Sequence, residues 1–199
     1  MALIGRSLRL GLVIVASFSL ALETGAKDQT GSVPGRSQEA SKSTLYGPSD
    51  VYQNIPERDE LGRDQLAMFR EWNPDPLGNH EENLKAIHPL LAKVVRKAEA
   101  DNPGLRVVAG SGRRDYKLQQ KAVAWGWSRT QDSPHRSGTA IDLWPLNAQG
   151  RVHFDPAIQS RVGAAMKRAA AELGVSIRWG GHFHSFKDMD RSHFELARH

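Results

Sequence analysis

His135 is followed seven residues later by Asp142, and Asp190 stands three residues before His193. Two imidazoles and one carboxylate form the ligand set of an open catalytic zinc site, with water in the fourth position. A second carboxylate beside one ligand histidine could take a proton from that water. Gly138 lies between the first two candidate ligands, where a turn would bring them to the same ion. Zinc is borderline soft and suits imidazole nitrogen with carboxylate oxygen, whereas an all-oxygen set would suit magnesium or calcium. A lone His or Asp is more often a cap or a surface residue than a ligand. The full set, with Gly138 and Asp190 in place, makes chance the weaker explanation.

The elements that must position these residues follow from periodicity. Leu84, Ile87, Leu91, Val94, Val95 and Ala98 recur at helical spacing, predicting a helix over 83–100 that His88-Pro89 divides. A strand over 105–109 then delivers Ser111-Gly112-Arg113-Arg114 at its end, and a helix over 115–124 follows with Asp115 as its N-cap. A strand over 139–143 holds Asp142, and Trp144-Pro145 turns the chain out. Residues 156–173 form an Ala-rich helix stopped by Gly174, and strands over 175–179 and 192–196 complete the domain. Strands among separate helices give an α+β fold: a small antiparallel sheet packed with helices, with the zinc site at the sheet face.

Ser133-x-His135-x-x-Gly138-x-Ala140-x-Asp142 resembles the first zinc motif of the D-alanyl-D-alanine carboxypeptidases and L-alanyl-D-glutamate endopeptidases, the VanY-like bacterial and phage cell-wall peptidases. Trp179-Gly180-Gly181, Phe186-x-Asp188 and Asp190-x-x-His193-Phe194-Glu195 are similar to the endopeptidase branch in particular. Ser111-Gly112-Arg113-Arg114-Asp115, with Gln119 beyond, is similar to the family's Gly-aromatic-Arg-Ser/Thr stretch and its following glutamine. The resemblance runs from about Asn83 to the C-terminus. It implies that His135, Asp142 and His193 bind one zinc ion, that Asp190 is the general base, and that Arg114 polarises the scissile carbonyl. There are departures. His182-Phe183 stands where the endopeptidases usually read Asp-Trp, Arg113 replaces an aromatic residue, and Asp115 replaces Ser or Thr. None removes a ligand; each bears on the substrate pocket.

Neighbouring residues divide between site and surface. Arg113 and Arg114 are adjacent and, if extended, point to opposite sides, so only one faces the metal. The motif selects Arg114. Glu195, two residues after His193 and on the same strand face, competes with Asp190 for the base role; the family match favours Asp190 and leaves Glu195 supporting a ligand histidine. Gln119 and Ser133 are substrate-binding or supporting candidates, Ser133 through turn geometry. Arg136, His88, His153 and His199 read as ordinary surface or capping residues, and His182 with His184 as loop histidines rather than a second metal site. Trp125 and Trp127 suit core or rim packing at least as well as a substrate groove.

The remainder of the 199-residue chain reads as appendages. With no cysteine, the chain offers no disulfide, thiol nucleophile or lipid-acylation site. Arg6 and Arg9, the apolar run Leu10 to Leu22 and Ser19-Leu20-Ala21 read as a signal peptide over 1–21, and that apolar run is shorter than the roughly 20 residues of a spanning helix. Residues 22–50 read as a disordered linker, 51–82 as an N-terminal arm packing on the domain, and 83–199 as the zinc peptidase domain. Leu66, Phe69 and Trp72 share one face of a helix predicted over 61–72, ended by Asn73-Pro74. The net charge of +5 falls by only two on signal removal and is ordinary for a soluble protein.

These features predict an exported enzyme of the periplasm or cell wall, an uncleaved membrane anchor being the lesser alternative. Its expected partner is peptidoglycan stem peptide. No nucleic-acid module or protein partner is legible. An L-alanyl-D-glutamate endopeptidase is favoured over a D-alanyl-D-alanine carboxypeptidase. A zinc-containing wall-binding module without turnover is the reading from another class, and the presence of ligands and base argues against it. A metal-stabilised structural domain is a further alternative.

Overall fold

The computed structural model describes residues 50–183 and 189–197. The signal segment, nearly all of the linker, Phe186-x-Asp188, His184 and His199 lie outside the described residues.

Helix α1 spans Gln65–Trp72, α2 His80–Ala86, α3 Pro89–Ala100, α4 Tyr116–Ala124, α5 Pro134–Ser137 and α6 Pro156–Glu172. Strands β1 (Val107–Ser111), β2 (Ala140–Pro145), β3 (Ile177–Trp179) and β4 (His193–Leu196) form one antiparallel sheet in the order β1-β2-β4-β3. The fold is α+β with a small antiparallel sheet, as the patterning predicts. No helix among the described residues is long and apolar enough to cross a membrane.

Local sequence explains most helix boundaries. Pro89 starts α3 because its missing N–H is one that a first turn leaves unpaired anyway, and the His88 ring nitrogen accepts from Leu90 N at 3.3 Å. The predicted division at His88-Pro89 is therefore a break between two helices. Asp115 caps α4 by accepting from Leu118 N at 2.7 Å. Asp155 caps α6 through Ala157 N and Ile158 N, both at 2.9 Å.

Two expectations shift. Strand β1 begins two residues later than predicted and runs through Ser111, with an irregularity between Ala109 and Ser111. Strand β2 does not turn out at Trp144: Val107 pairs with Pro145 and Val108 with Trp144, which places Pro145 at the strand's end.

Alternation gives the sheet two distinct faces. Val107, Ala109, Ile141, Leu143 and Phe194 join Leu91, Val95, Val162, Met166 and Ala169 in the larger apolar core, beneath α3 and α6. Val108 and Trp144, on the other face, join Tyr52, Phe69, Trp72 and Val152 in a second core. Residues 51–72 are thus bound into the structure by burial of Val51, Tyr52, Ile55, Phe69 and Trp72. The Tyr52 hydroxyl donates to Asn73 O at 2.5 Å, and Asn73 Nδ2 donates to Gly110 O at 3.2 Å.

Candidate active site

The sheet register sets Asp142 beside His193 on β4 and beside Ser111 on β1. All three side chains then project from the same face as Trp144. Glu195, two residues beyond His193, shares that face and pairs across to Arg178 on β3.

His135 arrives separately, on α5, a single helical turn just ahead of the turn expected at Gly138. Ser133 caps it, accepting from His135 N at 3.4 Å, and Gly138 ends it at φ +74°. That left-handed conformation favours glycine, and an added Cβ would lie 3.3 Å from Ala86 O. The tight reversal returns the chain to β2 and brings His135 over Asp142.

The donor atoms form a nearly equilateral triangle. His135 Nε2 lies 3.2 Å from His193 Nδ1 and 3.3 Å from Asp142 Oδ1, and His193 Nδ1 lies 3.2 Å from Asp142 Oδ1. A tetrahedral zinc site with bonds of about 2.0–2.1 Å has ligand–ligand edges of about 3.3 Å. The three side chains are therefore spaced so that they could hold one metal ion.

Each histidine is oriented by its other nitrogen. His135 Nδ1 is 2.8 Å from Gly112 O; a carbonyl only accepts, so Nδ1 carries the hydrogen and Nε2 is left as a donor to metal. His193 Nε2 is 3.1 Å from Glu195 Oε2, which turns Nδ1 toward the triangle. Arg178 Nη1 donates to the other Glu195 oxygen at 2.7 Å. Both Glu195 oxygens are engaged, which suits an orienting role better than that of a base.

The electrostatics fit a cation site. Burial lowers His135 below its ordinary value and keeps it neutral. Burial alone would raise Asp142, but the Arg114 guanidinium and a hydrogen bond from His193 hold its carboxyl well below the usual range. Burial opposes charge on His193 too, yet hydrogen bonds to Asp142 and Glu195 prevail and push it up to about 10. In the metal-free arrangement a proton on His193 supplies positive charge that a metal would supply in its place.

Arg114 is held on three sides. Its Nη2 is paired with Asp142 Oδ2, its Nε donates to Ser111 Oγ at 2.9 Å, and Nη1 reaches Gln119 Oε1 at 3.5 Å. The guanidinium thus grips the carboxylate that completes the triangle, leaving Oδ1 to face the histidines. Arg113 is exposed, as alternation predicts. Gln119 is fully buried and ties the following loop through Ser128 Oγ at 2.8 Å and Thr130 O at 2.7 Å. It braces Arg114 rather than offering a contact to substrate.

Asp190 lines the same cleft as the triangle, a cavity of about 600 Å³ that also meets Arg114, Trp127, Ser133, Phe154 and Phe183. Ser192 donates to Asp190 Oδ1 from its backbone N–H at 3.1 Å and from its hydroxyl at 2.7 Å, fixing the carboxylate's orientation. Behind it, Asp190 N donates to Gly180 O at 3.1 Å, and a Cβ on Gly180 would fall 2.1 Å from Asp190 O. The Trp179 indole donates to Arg191 O at 2.9 Å. The Trp179-Gly180 pair is thus the seat of the Asp190 segment.

The remaining candidates take other places. Trp125 and Trp127 pack edge-on at 5.2 Å, and Trp127 also lines the cleft. Arg136 lies over Tyr116 at 5.5 Å, and His182 packs against Trp179 at 4.9 Å. Sequence reasoning did not find the Gly112 carbonyl, Arg178 or the contribution of Trp72. An adjoining lobe of about 220 Å³, lined by Gln65, Phe69 and Trp72, shares Arg114, Asp142 and Asp190 with the main cleft.

The sequence model of the phage L-alanyl-D-glutamate peptidases matches residues 77–197, which include every residue of the triangle and Asp190. The chain belongs to this family. The L-alanyl-D-glutamate peptidase of Escherichia phage T5 is 30% identical over 131 residues, covering 60% of this chain and 87% of the phage protein. The crystal structure of the Serratia marcescens L-Ala D-Glu endopeptidase ChiX is similar with a TM-score of 0.54 and 33% identity, over 60% of this chain and 86% of that one. These relatives place the chain in the endopeptidase branch. Helix α1 and residues 51–72 lie outside the family match.

Proposed function

We propose that the protein is a zinc-dependent L-alanyl-D-glutamate endopeptidase acting on peptidoglycan stem peptides. The observation that carries the reading is the triangle of His135 Nε2, Asp142 Oδ1 and His193 Nδ1, with edges of 3.2–3.3 Å, in a cleft that also holds Asp190. Membership of a peptidase family and two relatives named for the L-Ala–D-Glu bond support the choice of bond. The basic, then apolar segment from Arg6 to Leu22 supports export to the periplasm or cell wall, where such a substrate lies.

When bound, zinc supplies Lewis acidity, lowering the pKa of a water toward about 7 and drawing charge from a carbonyl. The protein's own residues do the rest. His135 and His193 are held by Gly112 O and Glu195 in the orientation that presents one bare nitrogen each. Arg114 holds Asp142 so that one oxygen faces the site. Asp190 takes a proton from the attacking water and returns it to the amide nitrogen as the C–N bond breaks, leaving a free amine and a carboxylate. No covalent acyl intermediate is required, in keeping with a chain that has no cysteine.

Digestion of purified muropeptides with and without added zinc, read by mass spectrometry, tests the reading. The expected product is stem peptide released between L-alanine and D-glutamate, only when zinc is present. Release of terminal D-alanine alone would assign the carboxypeptidase activity instead. Asp190→Asn should abolish turnover and keep zinc; undiminished hydrolysis by that variant removes Asp190 from the base role.

A further inference from the structure

Four contacts fix the Arg114 guanidinium, and one of them comes from outside the family-matched residues. Ser111 Oγ, Gln119 Oε1 and Asp142 Oδ2 meet its edge. Its Cζ lies over the Trp72 ring, 5.1 Å from the ring centroid. Trp72 is the last residue of α1 and is itself wedged against Trp127 at 5.2 Å and Trp125 at 6.0 Å. The next residue, Asn73, is bound to Gly110 O at 3.2 Å, at the irregularity in β1 just before Ser111. The end of the arm is therefore pinned to the strand that leads into the site.

The pairing matters because a carboxylate has two equivalent oxygens and rotates unless one is held. Arg114 takes Asp142 Oδ2, and Oδ1 is left 3.2–3.3 Å from both histidine donors. An ion pair open to water is weak and interchanges with solvent. An indole over the guanidinium excludes water from that side and adds attraction to the ring's negative face.

We propose that residues 50–72 are a working part of the metal centre, with Trp72 as a positioning residue that clamps Arg114 onto Asp142 and so presents Oδ1 to the ion. The inference rests on the reading of His135, Asp142 and His193 as ligands. It makes the arm more than packing: a segment the family match does not include sets the metal affinity of the domain it covers.

The test uses the full chain and measures zinc dissociation constants by competition with a chromophoric chelator, with the absorption spectrum of the Co²⁺-substituted protein as a readout of ligand geometry. Loss of residues that orient metal ligands costs about 10–100-fold in affinity. Trp72→Leu should weaken zinc binding about tenfold, at the low end of that range because it acts through Arg114, and should alter the Co²⁺ spectrum. Trp72→Phe, which keeps a ring over Arg114, should fall between Trp72→Leu and the parent. Trp125→Leu, which removes an indole that backs Trp72 but leaves the Trp72 ring over Arg114, should weaken zinc binding less than Trp72→Leu. Equal weakening by Trp72→Leu and Trp125→Leu would reduce the effect to general packing and overturn the proposal. So would an unchanged affinity in Trp72→Leu while the parent binds zinc, and the ligand reading would then stand. A parent chain that binds no zinc would remove the ligand reading and the inference together. If Trp72→Leu does not fold, Trp72→Phe decides: parent affinity and spectrum overturn the proposal, and a partial loss supports it.

Discussion

Ile141 and Leu143 point from β2 into the helices α3 and α6, whereas Asp142 and Trp144, one residue out of step, point toward the cleft and the arm. The same strand thus serves two kinds of environment. Its helix-facing residues sit in a shared apolar volume where many neighbours contribute and no single contact is unique. Asp142 instead has one arginine on one oxygen and two histidines at the other. A face of the first kind stores stability and tolerates repacking. A face of the second kind stores orientation, and a substitution there removes a function that its neighbours cannot supply.

Two substitutions on adjacent residues separate these behaviours most sharply. Asp142→Asn removes the carboxylate charge that faces both histidines and leaves Arg114 without its partner; on the proposed ligand role, zinc affinity should fall by more than about a hundredfold, beyond what an orienting residue costs. Hydrolysis of muropeptides should disappear with it. Leu143→Ala opens a cavity in the larger core and should cost about 2–5 kcal/mol in urea unfolding, with the folded fraction retaining parent zinc affinity. If Leu143→Ala lowered zinc affinity as far as Asp142→Asn, the division of labour between the faces would not exist.

The helix-facing half was the more legible in sequence because its signal is local and repeated. Leu91, Val94, Val95 and Ala98 report a helix by spacing alone, and Asp115, Pro89 and Asp155 mark boundaries by their own capping chemistry. The residues that meet in the cleft stand in recognisable motifs, but their relations are not written there. That Asp142 sits opposite His193 is a cross-strand register, set by tertiary pairing between segments 51 residues apart. Arg114 gripping Asp142 and Trp72 lying over Arg114 are likewise long-range contacts with no local periodicity to announce them. The extension of β2 through Pro145 escaped the turn signal of Trp144-Pro145 because a proline at a strand's end need not donate to the ladder.

A glycine on the site-bearing side gives the next sharpest comparison. Gly180→Ala would place a Cβ 2.1 Å from the backbone oxygen of Asp190, and that oxygen is not a flexible tip that can swing aside. The Asp190 segment must shift, while His135, Asp142 and the Gly112 and Glu195 supports are untouched. A displacement of about 1 Å at a reacting group costs on the order of a hundredfold in rate. Turnover should therefore fall about a hundredfold, while zinc affinity, reached only through the His193 N–H that Asp190 O accepts at 3.2 Å, should fall by less. Loss of zinc and turnover together would mean that the seat of Asp190 and the triangle are one unit.

The smallest effect tests the electrostatics of the site-bearing face without changing a residue. In the metal-free protein His193 is pushed up to about 10 by Asp142 and Glu195, against an unfolded value near 6.5. Between those pH values the folded state holds a proton that the unfolded state has released, so this contribution is full below about pH 6.5 and is lost as pH rises through about 10. His135, kept neutral by burial, acts in the opposite sense, but only at and below its ordinary value near 6.5. Metal-free protein should accordingly lose stability from pH 7 to 10, by no more than about 1.4 kcal/mol per pH unit, in urea midpoints measured with chelator present. Saturating zinc displaces that proton from His193 and should flatten the same profile, with zinc affinity itself rising as pH increases. A metal-free midpoint that rises over this range would show that the triangle does not hold the proton, and that its charge balance differs from the one that makes it a cation site.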